Sequence, residues 1–393
     1  MKIAIAGIRG VPACYGGFET FAEELGSRLA TRGHTVIVYG RKHVIQHPSS
    51  TYRGMELVLL PAPRHKYLET PLHTLLSIFH LVFHRPDVTL VCNAANSPFL
   101  WILRLVRIPV AVNLDGIERL RAKWNLLGKL WYRCGEICSV LFANKLVADA
   151  EVIREYYEKT YNTRSVVIRY GYADGGEERD TFARIIARKI NGEEASESSS
   201  GREQKSIFET LPLRPGAYLL YVSRLEPENN AHRVIEAYEA LPASSRKIPL
   251  VIVGGAPYAK EYIHRLHSLA GEQVMFLGFR FGSEYRELQL GAYAYIQATE
   301  VGGTHPALVE AMGFANCVIA NKTPENMEVL GDAGICYEKN NVRALTESLA
   351  QVLADFEMVK RYRKLAYERA TRNFNWENIT SDYEALFSEL TGR

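Results

Sequence analysis

The chain has little of what marks secreted, membrane-spanning or metal-built proteins. Its 393 residues hold six cysteines, with no Cys-x-x-Cys pair and no ligand spacing to histidine. Cys134 and Cys138 share a helix face by i,i+4 spacing, but no second pair follows. Reduced thiols and a cytoplasmic setting are therefore expected. No uncharged apolar run reaches about 18 residues, so no membrane-spanning helix is expected. The opening Met-Lys-Ile-Ala-Ile-Ala reads as a strand and lacks the charged and apolar regions of a leader. Gly-x-Gly-x-x-Gly is absent, which leaves dinucleotide binding weakly supported. Asp-x-Asp is absent as well.

What is present is an ordinary globular composition, 47% hydrophobic and 23% charged. The length suggests two domains. The net charge of +3 is unevenly spread. Residues 1–172 carry 22 Lys/Arg against 13 Asp/Glu, and the remainder 25 against 31, giving +9 and −6. A basic N-terminal half suits an anionic partner such as phosphates or an acidic membrane surface. Chance asymmetry between solvated faces is the other reading.

The most informative stretch is Ala298-Thr-Glu-Val-Gly-Gly-Thr-His-Pro-Ala-Leu-Val-Glu-Ala-Met312. A strand over 292–298 precedes it, and a helix over Pro306–Gly313 follows. Pro306 suits the first helical position, and Thr304 or His305 would cap it. Gly302-Gly303 lets backbone N–H groups approach a ligand, and a helix start after a strand is an anion site. Glu310, one turn in, could accept two ribose hydroxyls. A helix cap with a surface Glu explains the same residues. Strand 315–320 and the turn-helix-turn over 321–334 follow.

At the N-terminus, strand Lys2–Ala6, the turn Gly7–Gly17 and a helix with Phe18, Phe21, Ala22, Leu25 and Leu29 on one stripe lead to strand Thr35–Tyr39. This is one βαβ unit. Strands follow at Met55–Leu60, 87–93, Val110–Leu114, 145–149 and 165–170, with helices at 68–83 and 98–106. Helix 68–83, flanked by Arg64, His65, Lys66, His84 and Arg85, is either an ordinary covering helix or a face that rests on acidic lipid. Asp115-Gly116 ends strand Val110–Leu114, where α/β sites sit, though Asp115 could equally cap the basic segment after it. Residues 175–206 are polar and low in complexity, with a short helix over 181–190. A second domain opens with strand 217–222, the loop Ser223-Arg-Leu-Glu-Pro-Glu-Asn-Asn230 and a helix from Ala231. Strands 250–253 and 274–277, helical 342–372 and a last helix from about Trp376 to Leu390 complete it.

The run 298–334 and the Ser223–Asn230 loop resemble the donor-binding region of family 4 (group 1) glycosyltransferases of the GT-B fold. Tyr15-Gly-Gly-Phe-Glu-Thr20 and Arg32-Gly-His-Thr-Val-Ile-Val-Tyr39 are similar to a bacterial surface-polysaccharide subgroup that includes rhamnosyltransferases. The resemblance covers nearly the whole chain except 175–206. It implies an α/β protein of two Rossmann-like domains facing a central cleft. Residues 1–174 form the acceptor side, 175–206 a linker or insertion, and 207–372 the nucleotide-sugar domain. Residues 373–393 form a helix crossing back to the first domain. It further implies a retaining hexosyl-type transferase working from a dTDP- or UDP-sugar donor. The acceptor is a saccharide or a lipid-pyrophosphate-linked one. No cofactor and no nucleic-acid partner are expected, and peripheral contact with an anionic membrane is.

By the same resemblance, Arg224 and Asp115 are the catalytic candidates, Asp115 facing the transferred sugar. Donor binding falls to Gly16, Gly17, Ser223, Arg224, Asn229, Gly302, Gly303, Thr304, His305 and Glu310. Arg119, Arg121 and Lys123 form an acceptor-side basic surface. The absent Asp-x-Asp fits a metal-free mechanism in which Arg224 and helix amides meet the leaving diphosphate. Two positions depart from the family pattern. Gly302 stands where a Glu usually contacts the sugar, with Glu300 two residues early, and Asn229 stands where a Lys is usual. A catalytically altered nucleotide-sugar-binding protein and a GT-B epimerase are the alternatives.

Overall fold

The computed structural model describes every residue except Tyr15, Lys66, Asp115, 122–123, 173–178, 194–205 and 257–258, and not the side chains of Arg179 and Asp180. The chain divides into two compact units. The first comprises Met1–Gly171, Gly302–Thr304 and Trp376–Arg393, the second Tyr172–Val301 and His305–Asn375.

The first unit follows β1 (Lys2–Ala6), α1 (Gly17–Thr31), β2 (Thr35–Arg41), β3 (Thr51–Tyr52), β4 (Met55–Leu60), α2 (Glu69–His84) and β5 (Val88–Cys92). It continues through a 3-10 turn at Ala94–Phe99, α3 (Leu100–Leu105), β6 (Val110–Leu114), α4 (Leu126–Phe142), β7 (Lys145–Ala148), α5 (Glu151–Tyr161) and β8 (Val166–Val167). The sheet order is β3-β4-β2-β1-β5-β6-β7-β8, parallel except for the β3–β4 pair. The strand expected over 165–170 shrinks to β8, an edge pair against Val147 and Ala148. Helix α1 stops where Gly33 adopts φ +88°, a conformation that glycine enters without steric cost. The strands read as unbroken apolar runs because both sheet faces are covered, and Ile3, Ala4 and Ile5 are fully buried. Right-handed crossovers place α1, which leads back from β1 to β2, on one face. Helices α2, α3 and α4 lead the other way and cover the opposite face.

The second unit follows α6 (Arg179–Asn191), α7 (Ile207–Thr210), β9 (Leu219–Val222), α8 (Ala231–Glu239), β10 (Leu250–Val253), α9 (Lys260–Leu269), β11 (Val274–Gly278) and α10 (Gly282–Gly291). Then come β12 (Ala294–Gln297), α11 (Pro306–Gly313), β13 (Cys317–Asn321), α12 (Pro324–Leu330), β14 (Ile335–Tyr337), α13 (Val342–Ala354) and α14 (Phe356–Asn373). The all-parallel order β11-β10-β9-β12-β13-β14 reverses direction between β9 and β12. Its core includes Leu219, Ile252, Ile296 and Ile319, all fully buried. Truncating Ile252 to Ala would cost about 2–5 kcal/mol through lost transfer energy and a cavity.

Residues 175–206, read as a linker, hold α6, and α6 belongs to the second unit. Phe182 packs edge-on against Phe314 at 5.7 Å between ring centroids. The buried Lys189 ammonium donates to Gln289 O at 2.8 Å and Asn316 Oδ1 at 2.7 Å. The short helix expected over 181–190 is α6, and its buried side chains tie it to the second unit where a linker was expected. The last helix, α15 (Trp376–Thr391), packs on α1 within the first unit. There Trp376 is buried against Phe21 and Tyr170, and Asn113 Nδ2 donates to the Tyr383 hydroxyl at 2.6 Å.

Candidate active site

In the second unit, the loops after β9 and β12 leave neighbouring strands at the point where strand order reverses. Open α/β sheets bind ligands at the carboxyl ends of such strands. The first loop carries Ser223, Arg224 and Asn229. A Cβ on Gly254 would lie 1.8 Å from Ser223 O, so the backbone after β10 passes against this loop only because it lacks a side chain. The Asn229 amide is buried and donates to Arg224 O at 2.7 Å, and the Tyr221 hydroxyl donates to Asn229 O at 2.6 Å. Asn229, expected toward the diphosphate, thus shapes the backbone that carries Arg224. Asn230 then adopts φ +62° and α8 begins.

The second loop is tied to the first. Glu300 N donates to Glu228 O at 3.1 Å, and Asn230 Nδ2 donates to Ala298 O at 3.0 Å. The Glu300 carboxylate accepts from Asn340 Nδ2 and from Asn230 Nδ2. It is engaged in this loop network, two residues before Gly302. Helix α11 starts at Pro306 as the proline signal predicts. His305 occupies the cap position without a side-chain cap bond, and Thr304 is turned to another task. Glu310, one turn into α11, accepts from the Tyr285 hydroxyl at 2.7 Å. Tyr285 in turn accepts from Gln289 Nε2 at 2.9 Å, and Gln289 Oε1 accepts from Asn316 Nδ2 at 2.9 Å. Burial pushes the Tyr285 phenol well up, with the Glu310 charge adding, so it stays a protonated donor.

In the first unit, the Gly302–Thr304 stretch lies against the ends of β6 and β7. Thr304 N–H donates to Asp149 Oδ2 at 2.8 Å, and Thr304 Oγ1 donates to Asp149 O at 2.7 Å. A Cβ on Gly303 would meet Asp149 Oδ1 at 2.5 Å. A Cβ on Gly116, at φ +65°, would meet Gly303 N at 2.7 Å. The segment after Asp115 therefore touches the glycine turn, while Asp115 itself lies outside the described residues. Gly16 and Gly17 open α1, with Gly16 in extended backbone. The turn before them is pinned by two carboxylates of α1. Arg9 N–H donates to Glu19 Oε1 at 2.9 Å, and Ala13 N–H donates to Glu23 Oε2 at 2.8 Å. Burial pushes the Glu19 carboxyl up, opposed by the Arg9 N–H and charge.

The expected basic surface is largely paired. Arg121 is buried against Glu118 at 2.5 Å. Arg119 lies 3.3 Å from Glu136 Oε1 and donates to the Tyr156 hydroxyl at 2.7 Å. Lys123 lies outside the described residues. Asp149, Tyr285 and Glu19 were not singled out from the sequence. An acidic residue ending strand 145–149 was the one available hint, and it marks a position without naming a partner.

Two family descriptions divide the chain. Glycosyltransferase Family 4 matches residues 15–172, and Glycosyl transferases group 1 matches residues 203–369. The two α/β units are those of the GT-B fold, and the chain belongs to the group 1 glycosyltransferases. A curated relative, O-antigen chain mannosyltransferase B of Escherichia coli, is 24% identical over 204 residues. That match takes in 50% of this chain and 52% of the relative, so the chain spans about half the length of the relative it matches. Among solved structures, Anabaena Alr3699/HepE in complex with UDP-glucose aligns with TM-score 0.75 at 15% identity, covering 98% and 99% of the two chains. WaaG, described as a glycosyltransferase involved in lipopolysaccharide biosynthesis, aligns with TM-score 0.70 at 19% identity over both whole chains. These structural likenesses establish the fold. No described helix is long and apolar enough to cross a membrane.

Proposed function

We propose that this chain is a retaining glycosyltransferase of cell-surface polysaccharide synthesis. It takes a sugar from a nucleotide-sugar donor to a saccharide or lipid-linked saccharide acceptor. One observation carries the donor assignment. The Arg224 loop and the helix bearing Glu310 issue from the adjacent strands β9 and β12, where the sheet reverses. A fixed guanidinium suits a diphosphate, and an oriented carboxylate suits a ribose diol. The names of the E. coli relative and of WaaG support the polysaccharide setting, and the UDP-glucose complex supports the donor class.

In this reading Arg224 and the backbone amides at the start of α11 meet charge on the leaving diphosphate, and no protein nucleophile is assigned. The resembled subgroup includes rhamnosyltransferases and the E. coli relative is named for mannose, so the donors assayed should carry both sugars. The mechanism needs no divalent metal: turnover should survive EDTA, and activity lost to EDTA and restored by magnesium or manganese would overturn that part.

The experiment is a thermal-shift panel of UDP, dTDP, GDP and ADP, followed by assay of nucleoside diphosphate release with a lipid-linked acceptor. A ligand at 100 times its Kd raises stability by about 2.7 kcal/mol, which is readily seen. Binding without release would leave a nucleotide-sugar-binding protein instead.

A further inference from the structure

Helix α6 falls between the two family matches, which end at 172 and resume at 203. Yet it delivers a lysine into the interior of the second unit. Lys189 is 9% exposed, and its ammonium donates to Gln289 O and Asn316 Oδ1. Among the described residues no carboxylate pairs with it, and burial and the Arg363 charge both work against its positive charge. Phe182 and Ile186 are buried on the same helix, and Arg363 Nη1 donates to Lys189 O at 2.9 Å, so α6 is docked by other means as well. A buried ammonium without a counter-ion costs stability, and an apolar side chain of like volume would hold the helix down better. The lysine calls for another role.

From Lys189 a chain of donors runs one way. An ammonium offers N–H groups and no lone pair. It takes Asn316 Oδ1, which leaves Asn316 Nδ2 to donate to Gln289 Oε1 at 2.9 Å and to Ala311 O at 3.1 Å. Gln289 then turns its Nε2 to the Tyr285 hydroxyl at 2.9 Å. The phenol oxygen has accepted, so its one proton goes to Glu310 Oε2 at 2.7 Å. Reversing either amide would set oxygen against oxygen and N–H against N–H. Gln289 and Asn316 are fully buried, so no solvent reaches them to replace a lost link. Ala311 follows Glu310 in α11, so Asn316 also fixes the backbone beside the carboxylate.

We infer that Lys189 is a positioning residue for donor binding: through Asn316, Gln289 and Tyr285 it fixes the Glu310 carboxylate for the ribose hydroxyls, which makes α6 a working part of the nucleotide site. This role rests on the ribose reading of Glu310 and extends it to a helix outside the family pattern. All of its residues belong to the second unit.

The test measures, on the full chain, the Kd of UDP, dTDP, GDP and ADP, each beside its 2′,3′-dideoxy counterpart, and takes the pair that binds. The ratio of the two affinities reports the hydroxyl contact alone. Lys189→Met should lower that ratio about twofold to tenfold, the value of one orienting hydrogen bond. In a Tyr285→Phe background it should lower it no further. Asn316→Asp is the second arm. It keeps an acceptor for Lys189 and adds a counter-ion, but it cannot donate to Gln289, so α6 stays docked while the ratio falls as in Lys189→Met. A lysine that only docks α6 predicts the opposite: the melting temperature moves, or both Kd values move together, and the ratio stays. Glu310→Ala separates this role from the reading beneath it. If Glu310→Ala leaves the ratio at the parent value, the ribose reading fails and this role with it. If Glu310→Ala collapses the ratio while Lys189→Met and Asn316→Asp leave it, the ribose reading stands and this role is overturned. Binding of none of the four nucleotides would overturn both.

Discussion

The Tyr285 hydroxyl donates to Glu310 Oε2 at 2.7 Å, joining α10 to the helix that follows the glycine turn. The phenol is itself held by Gln289, and Gln289 by Asn316. The Glu310 carboxylate is thus oriented from outside its own helix. If it receives a ribose diol, Glu310→Ala should weaken nucleoside diphosphate binding by about 1–3 kcal/mol, and Tyr285→Phe by about 0.5–1.5 kcal/mol. Calorimetry on both variants checks the pair. Unchanged affinity in Glu310→Ala would remove the ribose assignment, whereas unchanged affinity in Tyr285→Phe alone would remove only the orienting role.

Arg224 is the one cation of the Ser223–Asn230 loop. Removing a preorganised donor to developing charge costs about 2.7–4 kcal/mol, so Arg224→Ala should lower kcat by roughly a hundredfold or more. Asn229→Ala acts differently, because its amide supports the Arg224 carbonyl. It should cost about 0.5–1.5 kcal/mol of stability and lower kcat less than Arg224→Ala does. Thermal melting together with kcat separates the two effects. An Asn229→Ala chain that melts like the parent would show that the loop does not rely on this bond.

Gly303→Ala places a methyl group where Asp149 Oδ1 would be 2.5 Å away. Either the carboxylate or the glycine turn must shift, and the Thr304 N–H bond to Asp149 goes with it. Activity should fall well below that of the parent. Asp149→Asn should be milder, since its amide oxygen can still accept from Thr304 N–H. Equal kcat in Gly303→Ala and parent would show that the turn has no bearing on catalysis.

His73 should make the first unit acid-sensitive. It is buried, its Nε2–H donates to Gly40 O at 3.0 Å, and burial pushes its pKa down to about 4. Nearby Arg41 and His43 also disfavour the charged form, and Glu69 opposes them. An unfolded histidine titrates near 6.5, so below that pH the unfolded chain binds a proton that the folded chain refuses. Stability is full above about pH 6.5 and declines toward pH 4, by up to roughly 3 kcal/mol. Urea unfolding at pH 7 and pH 5 measures it. His73→Gln, which keeps a donor for Gly40 O, should flatten that limb, and an equal slope in variant and parent would place the sensitivity elsewhere.

The sequence by itself determined whatever depends on near neighbours. Gly33 stops α1, Pro306 starts α11, and the apolar runs Lys2–Ala6, Met55–Leu60, Val110–Leu114 and Leu250–Val253 form strands with the expected ends. These are signals of backbone freedom, missing N–H groups and periodic burial, each complete within a few residues. The helix α4 was legible only at Cys134 and Cys138, and its extent was not, since its Leu, Trp, Cys and Arg side chains leave little contrast between a covered and an open side. The direction of the Asn229 amide, the grip of Tyr285 on Glu310 across 25 residues, and the meeting of Asp149 with Thr304 across 155 were decided by tertiary structure. For Glu310 and Thr304 the partner lies on another element, and a hydrogen bond a few ångströms long leaves no spacing in the chain from which it could be read; the Asn229 amide meets Arg224 O within its own loop, where spacing does not say which way the amide turns.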